Sequence, residues 1–163
     1  MLSSHMVKIE FAKSQDVPVI LDFIKALAEY EKLSHEVVAT EEKLRATLFG
    51  RKPAAEVILL RDGNETAGFA LFFHNYSTFL AKPGIYLEDL FVKPAFRGRG
   101  HGKALLAALA KIAVERACGR LEWSVLDWNK PAIDLYLSLG SKPQSEWTVH
   151  RMTGDALRAL ASR

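Results

Sequence analysis

At 163 residues the chain is long enough to bury one real core without disulfides, and it is read as a single domain over residues 7–163. Its 49% hydrophobic and 25% charged residues are ordinary for a globular protein, and no apolar run approaches the ~20 residues needed to cross a bilayer. The net charge of +3 is weakly basic, but outside Arg97–Lys103 the basic residues are scattered, which argues against nucleic acid as a partner.

Met1–Met6 lacks a basic region followed by an apolar stretch, so it is not a secretory signal; residues 1–6 are read as a disordered or vector-derived tail. Lys8–Phe11 is a short strand. Asp16 is placed as an N-cap with Pro18 tolerated in the first turn. Ile20, Phe23, Ile24, Leu27 and Ala28 then recur with helical spacing, predicting an amphipathic helix over 17–32. Thr40 caps a second helix, with Glu41 and Glu42 at its positive end and Gly50 closing it. Val57–Arg61 and Thr66–His74 are β-type runs separated by Asp62-Gly63-Asn64, a hairpin signal.

Ile85–Val92 is a further strand, ended by Pro94. Leu105, Leu106, Leu109, Ile112 and Ala113 mark one face of a long helix beginning near Gly100. Cys118, late in that pattern, reads as a packing residue. A lone cysteine closes no internal disulfide, so the expected home is the reducing cytoplasm. Leu121–Leu126 returns as a strand, Pro131–Leu139 as a short helix stopped by Gly140, Trp147–Met152 as a last strand and Gly154–Ala161 as a final helix. The order β-α-α-β-β-β-α-β-α-β-α implies an α/β fold with a mixed sheet and helices on both faces.

The sharpest feature is Arg97-Gly98-Arg99-Gly100-His101-Gly102-Lys103, between a strand and the helix that follows. Its glycines allow torsions that other residues resist and bring main-chain N–H groups close to a ligand. Those groups converge at a helix N-terminus, whose dipole favours anions, and Arg97, Arg99 and Lys103 add charge. A pyrophosphate suits such a loop; the plain alternative is a tight strand-to-helix connection. No Gly-Lys-Ser/Thr follows, so it is not a Walker motif, and it also fails the dinucleotide fingerprint.

Arg97-x-x-Gly100-x-Gly102, following Leu87-Glu88-Asp89-Leu90-Phe91-Val92, resembles the acetyl-CoA-binding motif of GNAT acetyltransferases. Asn129-Lys130-Pro131-Ala132-Ile133-Asp134-Leu135-Tyr136 is a second match, and the similarity runs from Ile9 to the C-terminus. Within the family the chain is most similar to the spermidine/spermine and thialysine-acetylating subgroup. Leu27–Leu33, Tyr86–Asp89 and Val125–Asn129 carry that narrower likeness. The resemblance implies a GNAT fold with six to seven mostly antiparallel strands, acetyl-CoA as cosubstrate, a small primary amine as acceptor, and a homodimer.

An alkyl amine with a pKa near 10 must shed a proton before it attacks a thioester. Glu88 is the candidate base, because a partly desolvated carboxylate can accept that proton, and the resemblance points to the same residue as a substrate ligand. Strict strand alternation puts Glu88 and Asp89 on opposite faces, whereas a bulge lets both line one cleft. Tyr136, where the family has its proton-donating tyrosine, is the candidate acid for the departing thiolate. The resemblance gives Leu90, Phe91 and Val92 main-chain pairing with the pantetheine arm and polarisation of the thioester oxygen. It adds Asn129, with Pro131, Ala132 and Tyr136, to the cofactor contacts. Alone, Asn129 is a helix cap and Tyr136 a packing residue.

For a cationic acceptor, Glu31, Glu88, Asp89 and Glu146 are acidic candidates, with Tyr30, Trp123 and Trp147 able to cover an alkyl chain. The resemblance assigns substrate contacts to Tyr30, Glu31, Glu122, Trp123, Ser124 and Glu146. Only Lys142–Glu146 separates Ser141 from Trp147, however, a stretch shorter than in the family. His35, His74, His101 and His150 lack metal-ligand spacing, so no metal is expected. The rival readings are a protein or peptide N-acetyltransferase, a CoA-binding module without catalysis and, last, a nucleic-acid-binding domain.

Overall fold

The computed structural model describes residues 6–163; the tail predicted at the start falls, apart from Met6, outside the described residues. The chain forms two compact units, one ending at Ser124 and one running from Val125 to Arg163.

The first unit carries β1 (Val7–Phe11), α1 (Val17–Tyr30), α2 (Glu41–Leu48), β2 (Glu56–Asp62), β3 (Glu65–Ser77), β4 (Lys82–Val92), α3 (His101–Glu115) and β5 (Leu121–Trp123). The strands lie in the order β1-β2-β3-β4-β5. Neighbours are antiparallel except β4 and β5, which are parallel and joined through α3. A parallel pair needs such a crossover, whereas β2 and β3 are joined by Gly63 and Asn64 alone, with Gly63 at φ 62°.

Alternation along the strands makes two apolar faces. Val57, Leu59, Phe69 and Phe91 pack with Val17, Ile20, Phe23 and Leu27 of α1 and with Leu44 and Leu48 of α2. Phe23 stacks on Phe69 at 5.0 Å between centroids and meets Phe91 edge-on at 6.3 Å. The opposite face receives α3, whose Leu105 approaches Gly68 beside Val92. Helices therefore cover both faces, as the element order implies.

Local chemistry accounts for the helix ends. Thr40 Oγ1 accepts from Lys43 N at 3.2 Å, the predicted cap of α2. Asp16 stands at the N-cap of α1, yet its carboxylate accepts from Lys13 N and from Arg61 instead of its own helix. At the other end of the sheet, Arg116 forks onto Glu56 at 2.6 and 3.0 Å and ties the end of α3 to β2. It holds the Glu56 carboxyl below its ordinary pKa.

The second unit contains α4 (Lys130–Ser138) and α5 (Gly154–Ala161). Here the expectation needs correction. The run Trp147–Met152 is not a strand, and the described residues hold five strands rather than six or seven. A β-like composition becomes a strand only with a partner ladder, and these residues pair with none. Similarly, the predicted strand Leu121–Leu126 stops at Trp123, where its pairing to β4 ends. Among the described residues no helix is long and apolar enough to cross a membrane.

Candidate active site

The centre of the site is an irregularity in β4. Leu71 of β3 faces Asp89, but Phe72 faces Leu87, so Glu88 is an extra residue on the β4 side. This bulge shifts the phase of the strand. Leu87 is buried opposite Phe72, whereas Asp89 and Phe91 turn to the face covered by α1. Glu88 itself is exposed.

Asp89 is thereby pushed into an apolar and acidic setting. Its pKa is raised to about 6 by burial first, then by the charges of Glu88 and Glu31. Glu31, at the C-cap of α1, is half-buried, and burial raises its carboxyl too. Asp89 thus feels two further carboxyls, Glu88 beside it on β4 and Glu31 at the end of α1.

A second consequence follows from how β5 pairs. Its contact with β4 covers only Ile85–Leu87 against Leu121–Trp123. Beyond Leu87, β4 pairs with no strand on that side among the described residues. Lys93 N donates to Ala67 O of the β3 strand at 2.8 Å. Alternation then turns the peptide groups of Asp89 and Phe91 towards β3 and those of Leu90 and Val92 outward. The Phe91 ring is buried against Phe23, so Phe91 serves the core.

Past β4 the chain reaches the glycine-rich loop. Gly98 has φ 76° and Gly100 φ 80°, and a Cβ on either would meet nothing within 4 Å, so the backbone lies open. The first bond inside α3 runs from Ala104 N to Gly100 O at 2.9 Å. The amides of Gly102 and Lys103 therefore have no partner within the helix, and the Lys103 side chain is exposed. Open glycines, free helix-end donors and a lysine fit an anionic ligand.

The other cationic side chains of the loop have different partners. Arg97 Nε donates to Val92 O at 3.0 Å, and its guanidinium lies 5.3 Å from the Tyr30 ring centroid and 5.2 Å from that of Phe91. Arg99 Nη1 reaches Asp62 Oδ2 at 3.0 Å, and His101 Nε2 reaches the same oxygen at 2.9 Å. The His101 hydrogen bond, together with Arg99, holds the Asp62 carboxyl below its ordinary range. In the sequence Asp62 is marked only as a hairpin residue. No spacing rule links it to a loop 37 residues further on.

On β5, Glu122 accepts from Asn75 Nδ2 at 3.2 Å and Trp123 pairs with Leu87; just past the strand, Ser124 Oγ lies 2.6 Å from Tyr86 Oη. In the second unit, Asn129 stands at the N-cap of α4, Pro131 and Ala132 lie in its first turn and Tyr136 in its last. Glu146 lies on a turn closed by Trp147 N to Gln144 O at 3.1 Å. Among the described residues no group of three or more His, Cys, Asp or Glu is arranged to hold a metal ion.

An open-edged strand with a bulged acidic pair thus leads into a glycine-rich loop suited to an anion, on an α/β fold. The chain belongs to the acetyltransferase (GNAT) family, whose model matches residues 23–140, and it is an acetyltransferase; the donor of this family is acetyl-CoA. It is 41% identical to thialysine N-epsilon-acetyltransferase of Bos taurus, over 96% of this chain and 98% of the relative. It is 37% identical to L-ornithine N5-acetyltransferase of Arabidopsis thaliana, over 94% and 87%. Among solved structures, an integron cassette protein from the mobile metagenome of V. cholerae superposes with a TM-score of 0.80 at 26% identity, over 96% and 98% of the two chains.

Proposed function

We propose that this enzyme transfers the acetyl group of acetyl-CoA to the terminal primary amine of a small cationic acceptor: a lysine analogue such as thialysine, a diamine or a polyamine. The observation that carries the reading is the bulge at Glu88, which gathers Glu88 and Asp89 with Glu31 beside the open edge of β4. The names of the two relatives, with thialysine and ornithine as acceptors, support the same chemistry.

The outward peptide groups of Leu90 and Val92 pair with the amides of the pantetheine arm as an added strand would, and an N–H there polarises the thioester carbonyl. Phe91 backs that edge from the core. Gly98, Gly100, Gly102 and Lys103 receive the pyrophosphate at the start of α3, while Arg97, Arg99 and His101 shape the loop. Asn129, Pro131 and Ala132 contribute further donor contacts. Glu31 and Asp89 attract the acceptor's ammonium, with Tyr30, Glu122, Trp123, Ser124 and Glu146 completing the acceptor site.

Glu88, directly or through a water, takes the proton that the ammonium must lose. The free amine forms its N–C bond to the carbonyl carbon as the C–S bond breaks; Tyr136 gives its proton to the CoA thiolate, and the second proton shed by the acylated nitrogen replaces it on the phenol through water. The single cysteine fits a reducing cytoplasm, and the family likeness fits a homodimer; both belong to the proposal.

The test is thiol release from acetyl-CoA with thialysine, lysine, ornithine, spermidine, spermine and a lysine peptide. We expect turnover with a small amine and at least a tenfold lower kcat for Tyr136→Phe, the scale of one lost general acid. Turnover with the peptide alone overturns the acceptor class, and an unchanged Tyr136→Phe overturns the role of the phenol.

A further inference from the structure

Asp62 ends β2 on the face that receives α3, and its side chain is only 4% exposed. Its Oδ2 holds Arg99 at 3.0 Å and the equally buried His101 at 2.9 Å. His101 is the first residue of α3, and Arg99 lies between the two positive-φ glycines. One carboxylate oxygen therefore fixes the loop on both sides of Gly100. Arg99, half-exposed, is drawn back to that oxygen and rests over the Phe96 ring at 5.0 Å. At the other end of the loop, Arg97 is occupied by Val92 O and the rings of Tyr30 and Phe91. The loop thus meets an anion with its helix-end amides and Lys103, while its other polar side chains hold its shape.

We propose that Asp62 is a positioning residue for acetyl-CoA: through His101 and Arg99 it holds the glycine loop in the conformation that receives the pyrophosphate. This rests on the acetyl-CoA reading given above. Charge alone argues the other way, because an acid beside an anion-binding loop repels the ligand and neutralises a neighbouring arginine. Its presence is accounted for by geometry. With the carboxylate in place, buried His101 has its partner and Gly100 is held in the left-handed region that starts the helix. Loss of the carboxylate leaves the His101 ring nitrogen without Oδ2 and releases the loop.

The two effects differ in sign, which makes the proposal testable by calorimetry and kinetics on the full chain. If Asp62 braces the loop, Asp62→Ala and Asp62→Asn bind acetyl-CoA about tenfold more weakly than the parent. KM for acetyl-CoA rises to match, kcat at saturation stays within about twofold, and KM for S-acetylpantetheine, which lacks the phosphates, does not move. Equal or tighter acetyl-CoA binding by a folded variant overturns the proposal, and so does an equal loss with S-acetylpantetheine. If neither Asp62 variant folds, His101→Ala and His101→Gln take their place. The alanine is expected to lose the affinity and the glutamine, whose amide can still donate to Asp62, to restore part of it; equal affinities overturn the idea. A parent chain that does not bind acetyl-CoA sinks the donor reading and this inference together, whereas normal binding with unaffected variants sinks this inference alone.

Discussion

At Asp89 a buried carboxyl costs the fold stability. Burial beside Glu88 and Glu31 raises its pKa to about 6, above the 3.8 of an unperturbed aspartate. The folded state therefore holds its proton more tightly than the unfolded chain does. As pH rises from about 4 to about 6 the unfolded state ionises first, so stability falls across that window and levels off above it. Asp89→Asn removes this cost. We expect the variant to be more stable than the parent by about 1–2 kcal/mol at pH 8 and no more stable at pH 4, measured by urea unfolding at both. A gain of the same size at both pH values would mean that charge is not the cause. The acidic pair was legible in the sequence because adjacent carboxylates in an apolar strand are conspicuous. What alternation alone could not decide was whether both turn to one side. The answer depends on the pairing of Leu71 with Asp89 and Phe72 with Leu87, a property of two strands and not of one. Asp62 was illegible for a related reason: Asp-Gly-Asn is a complete local account of a hairpin, and the contacts to Arg99 and His101 exist only once the sheet has formed.

Among the elements, those with a local cause were read most closely. The period of α1, the Thr40 cap of α2 and the two-residue turn between β2 and β3 are written in neighbouring residues. Elements whose extent is set by a partner were not. β3 and β4 run on to Ser77 and Lys82 through a region where Pro83 and Gly84 suggest a break. Pro83 is tolerated because the β5 pairing begins only at Ile85. Trp147–Met152 has strand-like composition and no ladder. The glycine loop is of both kinds: its left-handed torsions are written in Gly98 and Gly100, its contacts to Asp62 are not, and its conformation gives a quantitative expectation. Gly100 sits at φ 80° with open space where a Cβ would stand, so Gly100→Ala meets no clash and its cost is conformational alone. That cost is about 1–2 kcal/mol for placing an alanine in the left-handed region. Denaturant unfolding should show a loss of this size, with KM for acetyl-CoA raised and the acceptor KM little changed. An alanine variant as stable as the parent would mean that the loop leaves the left-handed conformation freely.

For the whole molecule, the division at Ser124 raises the question of whether the chain unfolds in one step or two. The second unit, residues 125–163, is below the size at which a chain sustains a core by itself; about 40 residues is the usual floor without disulfides, metal or oligomerisation. The one cysteine, Cys118, precedes it, and among the described residues no metal cluster is present. Its two helices, of nine and eight residues, are also short of the ~12 that an isolated helix needs in water. Neither contains a buried side chain that would give the unit a centre of its own. The first unit, by contrast, has two apolar layers and a five-stranded sheet. We therefore propose that residues 7–163 behave as one domain, and expect thermal unfolding followed by far-ultraviolet dichroism and by tryptophan fluorescence to coincide. The three tryptophans make this informative, since Trp123 reports on the first unit and Trp128 and Trp147 on the second. Acetyl-CoA at 100 times its Kd should raise the single transition by the equivalent of about 2.7 kcal/mol on both probes. If the fluorescence change runs ahead of the dichroism, and acetyl-CoA shifts only the later step, the second unit melts separately and the one-domain reading fails.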